Sequence, residues 1–163
     1  MKTNSIGLLL FIAVFLGFTS CDSKRVYDTY KTLDNQSWNL DKKVQFSFNI
    51  NDTLTKNNLF INVRNNNKYN FNNLFLITEL NFPNGKKIVD TLEYQMADNS
   101  GKFLGNGFTE IKESKLFYKE HVVFPISGVY TLAISQAMRK NNQIDGIQNL
   151  EGITEVGFRI EKN

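Results

Sequence analysis

Val44-Gln45-Phe46-Ser47-Phe48-Asn49-Ile50 places Val, Phe, Phe and Ile at every second position, with polar residues between them. Side chains of a strand point alternately to opposite faces, so this stretch reads as a strand with one face on a core and the other in water. The same period of two recurs at Leu59, Ile61 and Val63, and at Leu74, Leu76, Thr78, Leu80 and Phe82. It returns at Ile88, Asp90, Leu92, Tyr94 and Met96, at Tyr130, Leu132 and Ile134, and at Val156, Phe158 and Ile160. Phe75 and Ile77 make the opposite face of the 74–82 run apolar too, as a central strand covered on both sides requires. Further extended segments are expected near residues 26–30 and 116–124.

Turn signals separate these runs. Asn84-Gly85, between two strand patterns, predicts a hairpin with a type I′ turn. Asp98-Asn99-Ser100-Gly101, Gly105-Asn106-Gly107 and Pro125-Ile126-Ser127-Gly128 are further breaks. Only residues 111–115 and 137–150 are candidates for helix, and neither sustains a 3.6-residue period. The expectation is an all-β fold: a single antiparallel β-sandwich, jelly-roll or Ig-like, with a small barrel as the alternative.

The N-terminal end reads differently. Lys2 precedes an apolar run over residues 6–18, closed by Thr19, Ser20 and Cys21. This is the layout of a secretory signal, and the run falls short of the ~20 apolar residues that span a bilayer. Phe18-Thr19-Ser20-Cys21 resembles a lipobox, with Phe where Leu is more usual. The expected division is a signal peptide over 1–20, a lipidated N-terminus and polar tether over 21–34, and a β-sandwich domain over 35–163. Cys21 is the only cysteine, so no internal disulfide is available, and its lipid makes the membrane the first expected partner. A net charge of +3 carries no nucleic-acid footprint.

Chemistry-bearing residues are sparse. His121 is the sole histidine, so a zinc site would need carboxylates to complete it, and no Gly-x-Ser-x-Gly motif accompanies it. Glu110 with Glu113, and Glu151 with Glu155, are the carboxylate pairs a glycosidase could use. Gly101-Lys102-Phe103-Leu104-Gly105-Asn106-Gly107 has glycines but no βα context for phosphate binding; Phe103 and Leu104 are expected to plug the core. Trp38 with Tyr27 and Tyr30 could stack on a sugar, although core filling is the plainer reading. Met138, Arg139 and Lys140 form a basic strand tip that could contact a partner. No catalytic residue, cofactor, metal or small-molecule ligand is indicated.

Several segments together resemble the gliding motility lipoprotein GldH family of Bacteroidota. They are the lipobox with Cys21-Asp22; Ala97-Asp98-Asn99-Ser100-Gly101 running on to Gly107; Pro125-Ile126-Ser127-Gly128-Val129-Tyr130; Gln136-Ala137-Met138-Arg139; and Leu150-Glu151-Gly152 running on to Ile160. The resemblance implies a lipid-anchored envelope protein required for gliding. It also implies partners in the motility and type IX secretion machinery, and it brings no active site. Asp22-Ser23-Lys24-Arg25 is acidic only once after the cysteine, which implies a domain facing the periplasm. Asp52-Thr53-Leu54 and Asp90-Thr91-Leu92 resemble the phylum's O-glycosylation triplet, a pattern that also recurs by chance. A carbohydrate- or peptidoglycan-binding lipoprotein and a hydrolase centred on His121 are the alternatives.

Overall fold

The computed structural model describes residues 22–163; Cys21 and the signal segment 1–20 lie outside the described residues. Ten strands follow one another: β1 (Arg25–Thr32), β2 (Ser37–Asn39), β3 (Val44–Ile50), β4 (Asn57–Asn65), β5 (Asn73–Asn81), β6 (Lys87–Gln95), β7 (Lys112–Val122), β8 (Gly128–Gln136), β9 (Asn149–Glu151) and β10 (Ile153–Lys162). They form two four-stranded antiparallel sheets, β1-β10-β4-β7 and β3-β8-β5-β6, with β2-β9 as a short ribbon. Among the eight long strands, every connection but the β5–β6 hairpin crosses from one sheet to the other. That is the winding of a jelly roll. The sandwich is therefore of jelly-roll rather than Ig-like type, and the sheets do not close into a barrel.

The alternating residues meet where expected. Phe46 and Phe48 of β3 face Phe158 of β10 across the sandwich, with ring centroids 6.1 and 5.3 Å apart. Leu59, Ile61, Val63, Leu74, Leu76, Leu132, Ile134, Val156 and Ile160 complete the buried core. Each such side chain contributes roughly 1.5–3 kcal/mol. Thr78 is the one polar member of its run, and its buried Oγ1 hydrogen-bonds the Tyr118 hydroxyl of the other sheet at 3.1 Å. β5 is an inner strand, with Phe75 packed against the core margin.

Three local expectations change. The hairpin has a three-residue loop in which Gly85 has positive φ and Asn84 does not; Phe82 N–H meets Lys86 O at 2.8 Å. Pro83 fixes φ for the first turn position, which selects a type I turn with a glycine bulge over type I′. Residues 112–115 belong to strand β7, not a helix. Residues 137–148 form turns, because buried Gln136 takes over the bonds a helix would make. It donates to Ile147 O at 2.6 Å and accepts from Met138 N–H at 2.9 Å.

Of the expected tether, residues 22–34 are drawn into the fold. Asp22 is ion-paired to Arg159, and β1 pairs along β10 from Arg25 to Thr32. Tyr27 packs inward on Phe48 and Phe158, while Asp28 and Tyr30 face outward with Arg159 and Gly157. A tether would leave these groups in water.

Candidate functional site

The strand directions give the sandwich two unlike ends. The end carrying Asp22 has only short connections: 51–56, 82–86 and 123–127. The opposite, distal end has the long ones: 33–43, 66–72, 96–111 and 137–148. Most of the motif residues sit there.

The glycine loop at the distal end is closed by backbone hydrogen bonds. Asn106 and Glu113 exchange two backbone hydrogen bonds of 2.8 Å, which close residues 107–112 into a loop. Asp98 braces its approach, accepting from Ser100 Oγ at 2.7 Å and from Lys102 N–H at 3.0 Å; the Ser100 hydroxyl leads in holding this carboxyl below its usual range. Phe103 reaches the core margin beside Tyr69, but Leu104 does not plug the core: it is exposed, as are Ile111 and the fully solvated Phe108.

The side chain of Glu113 continues from this loop into a network on the outer face of its sheet. Arg64 Nε donates to Glu113 Oε2 at 2.6 Å, and Arg64 Nη1 is ion-paired to Glu155. Tyr30 donates its hydroxyl to Glu113 Oε1 at 3.0 Å, and the Arg64 guanidinium lies 4.3 Å over the Tyr30 ring. The ring fits because Gly157 lies beneath it; a Cβ at 157 would stand 2.8 Å from Tyr30 ring carbons. Burial first, and then the bond to Glu113, push the Tyr30 hydroxyl up to about 12.

The anticipated carboxylate pairs are thus rearranged. Glu113 and Glu155 converge on one arginine, while Glu110 and Glu151 are exposed elsewhere. Both carboxylates are engaged: Glu113 by Arg64 and Tyr30, Glu155 by Arg64 and Thr32. Arg64 was not singled out in the sequence. The legible signal was Gly157 within a strand pattern, which marks close approach by another group.

The remaining candidates are dispersed. His121 sits at the Asp22 end, exposed and at φ 52°, with its Nδ1 2.8 Å from Asn163 Nδ2 and its N–H 3.1 Å from Asn58 Oδ1. Among the described residues its ring has no carboxylate or serine partner, and no group of three His, Cys, Asp or Glu side chains is placed to hold a metal. Trp38 is wholly buried and donates to Lys42 O at 3.1 Å. With Tyr27 on the core side and Tyr30 on the outer face, the three rings share no plane for a sugar. Met138 is buried, accepting Phe75 N–H on its sulfur at 3.2 Å, so it cannot meet a partner. Arg139 and Lys140 are exposed, on the rim of a groove bordered by Lys68, Asn70, Phe75 and Ile77. Thr91 lies in β6, and Asp90 beside it is held by Tyr118 and Lys119, each at 2.9 Å.

A family model described as GldH lipoprotein matches residues 25–160, the whole of the sandwich from β1 into β10. The chain belongs to the GldH lipoprotein family. It is 53% identical over 160 residues to the gliding motility lipoprotein GldH homolog of Christiangramia forsetii, covering 98% of each chain. It is 51% identical over 162 residues to the gliding motility lipoprotein GldH of Flavobacterium johnsoniae, covering 99% of each. The GldH sandwich also has a distant likeness to a solved structure, the infectious bursal disease virus VP2 subviral particle. The TM-score is 0.37 at 15% identity, covering 88% of this chain and 34% of that one. A likeness at that distance bears on neither ligand nor function.

Proposed function

We propose that this protein is a lipid-anchored component of the cell envelope required for gliding motility. Cys21 carries the lipid, and the β-sandwich acts by binding other proteins of the motility and type IX secretion machinery. The observation that carries this reading is near end-to-end similarity to relatives named gliding motility lipoprotein GldH. A non-catalytic role is supported by the way acidic groups are engaged: Glu113 and Glu155 with Arg64, Asp90 with Tyr118 and Lys119. The distal end, with Phe108, Arg139 and Lys140 exposed, is the surface offered to partners, and the domain faces the periplasm.

The test is replacement of the native gliding motility lipoprotein in Flavobacterium johnsoniae by this chain. Colony spreading is expected to return, and equally with His121→Ala. Loss of spreading in a folded, membrane-bound His121→Ala protein would instead support the hydrolase reading. Failure of the unaltered chain to restore spreading, at normal abundance, would count against the motility role.

A further inference from the structure

The end of the sandwich next to Cys21 gathers exposed basic side chains. Cys21 is separated by no residue from Asp22, which is ion-paired to Arg159 and accepts the Arg25 N–H on its carbonyl at 3.2 Å. Consecutive Cα atoms are ~3.8 Å apart, so the backbone that carries a lipid on Cys21 is one residue from the fold. Little chain is left for the domain to stand off from the bilayer. What faces the anchor is basic. Lys162 N–H bonds Lys24 O at 2.8 Å and Asn163 N–H bonds Lys56 O at 3.0 Å, which gathers the backbones of Lys24, Lys56 and Lys162 beside Arg25. All four are exposed, and none is ion-paired among the described residues.

The acids of this end are exposed, and two of them are hydrogen-bonded within the fold. Asp22 is spent on Arg159. Asp52, within electrostatic reach of Lys162, accepts from Leu54 N–H at 2.9 Å, Thr55 N–H at 3.0 Å and Thr55 Oγ1 at 2.6 Å. Glu120, on the far edge strand β7, is the side-chain carboxylate of this end outside such a bond. The Asp52 turn also holds Leu54 outward, 87% exposed, between Asp52 and Lys56.

We propose that this end is a membrane-contact face, with Leu54 inserted at the headgroup level and Lys24, Arg25, Lys56 and Lys162 on anionic headgroups. An apolar tip ringed by cations suits the bilayer interface, where apolar burial and attraction to anionic lipid add. Lipid on Cys21 would position the sandwich with its long loops pointing away from the membrane. The proposal rests on the lipoprotein reading above.

The experiment uses the full-length, acylated protein in vesicles of phosphatidylethanolamine and phosphatidylglycerol. An acylated Cys21 leaves no free thiol, so Leu54→Cys or Phe108→Cys supplies the one site for an environment-sensitive fluorophore. The label at position 54 is expected to be quenched by lipid-borne quenchers, and the label at 108 by aqueous ones. Lys56→Glu with Lys162→Glu is expected to lower the ratio of apposed to free domain by at least about fivefold for each lysine reversed. A protein that floats with the vesicles but has both labels equally in water overturns the contact face alone. Full quenching at 54 in the doubly reversed protein overturns the role of the lysines. A protein that carries no lipid and does not float overturns the lipoprotein reading and this face with it.

Discussion

Tyr30 on edge strand β1 hydrogen-bonds Glu113 on the opposite edge strand β7, its hydroxyl 3.0 Å from Oε1, spanning β10 and β4 between them. One side chain thereby ties the two edges of a four-stranded sheet, and it can do so because Gly157 leaves the surface open beneath its ring. Gly157→Ala would press a methyl into that ring. Overpacking of this kind costs ~1–3 kcal/mol, and chemical denaturation should show a loss of that size. In a Tyr30→Ala background the same change should cost little. An equal loss in both backgrounds would mean that Tyr30 is not what Gly157 accommodates.

Arg64 is the counter-ion of both Glu113 and Glu155. All three side chains are a quarter or more exposed, so water and salt screen the pairs. Arg64→Met should cost ~1 kcal/mol at low salt. The difference should shrink in molar salt, where the Debye length falls to ~3 Å. A large loss insensitive to salt would contradict an electrostatic role.

Asn62 lies on the same outer face, paired in register with Gly157 and Lys115, yet it is buried and its Oδ1 has no hydrogen-bond partner among the described residues. An unmatched buried oxygen costs ~1–3 kcal/mol. Asn62→Leu, close in shape, should leave thermal stability unchanged or raise it. A marked fall in Tm would show that the amide is bonded after all.

These relationships mark how far the sequence could be read. Alternation in 44–50, 74–82, 129–136 and 156–160 located the strands and their buried faces, because a half-buried strand writes its period directly. It left open which sheet each strand joins, since a face is the same face in either sheet; the jelly-roll winding appeared only with the pairings. β1 was legible only as an extended segment near 26–30, because an edge strand outside the core's centre tolerates Arg25, Asp28 and Lys31. The start of β7 looked helical because its outer face, with Glu113 and Lys115, carries charges that pair across strands. The expected carboxylate pairs, Glu110 with Glu113 and Glu151 with Glu155, are close in sequence. The real pair, Glu113 with Glu155, is joined through Arg64 on the strand between them. The GldH motifs, by contrast, were legible end to end.

Tyrosine ionisation reports on the same face and on the β6–β7 side. Tyr94 is pushed up to about 12 by burial, and Tyr30 to about 12 by burial and Glu113, from an ordinary 10.0. A raised folded-state value stabilises the fold below the unfolded pKa, so this contribution is complete below pH 10 and fades as pH rises from about 10 to about 12. Ultraviolet titration should show tyrosinate formation delayed beyond 10, with Tyr30→Phe removing part of the delayed amplitude. Uniform titration of all tyrosines near 10 in the folded protein would contradict this burial.

The central claim is that lipid on Cys21 holds this sandwich at the membrane where gliding depends on it. Metabolic labelling with a fatty acid, in cells making the intact chain or its Cys21→Ala variant, tests it most directly. Label is expected in the intact protein and absent from the variant, which should leave the membrane fraction. Equal incorporation by the Cys21→Ala protein would contradict the claim.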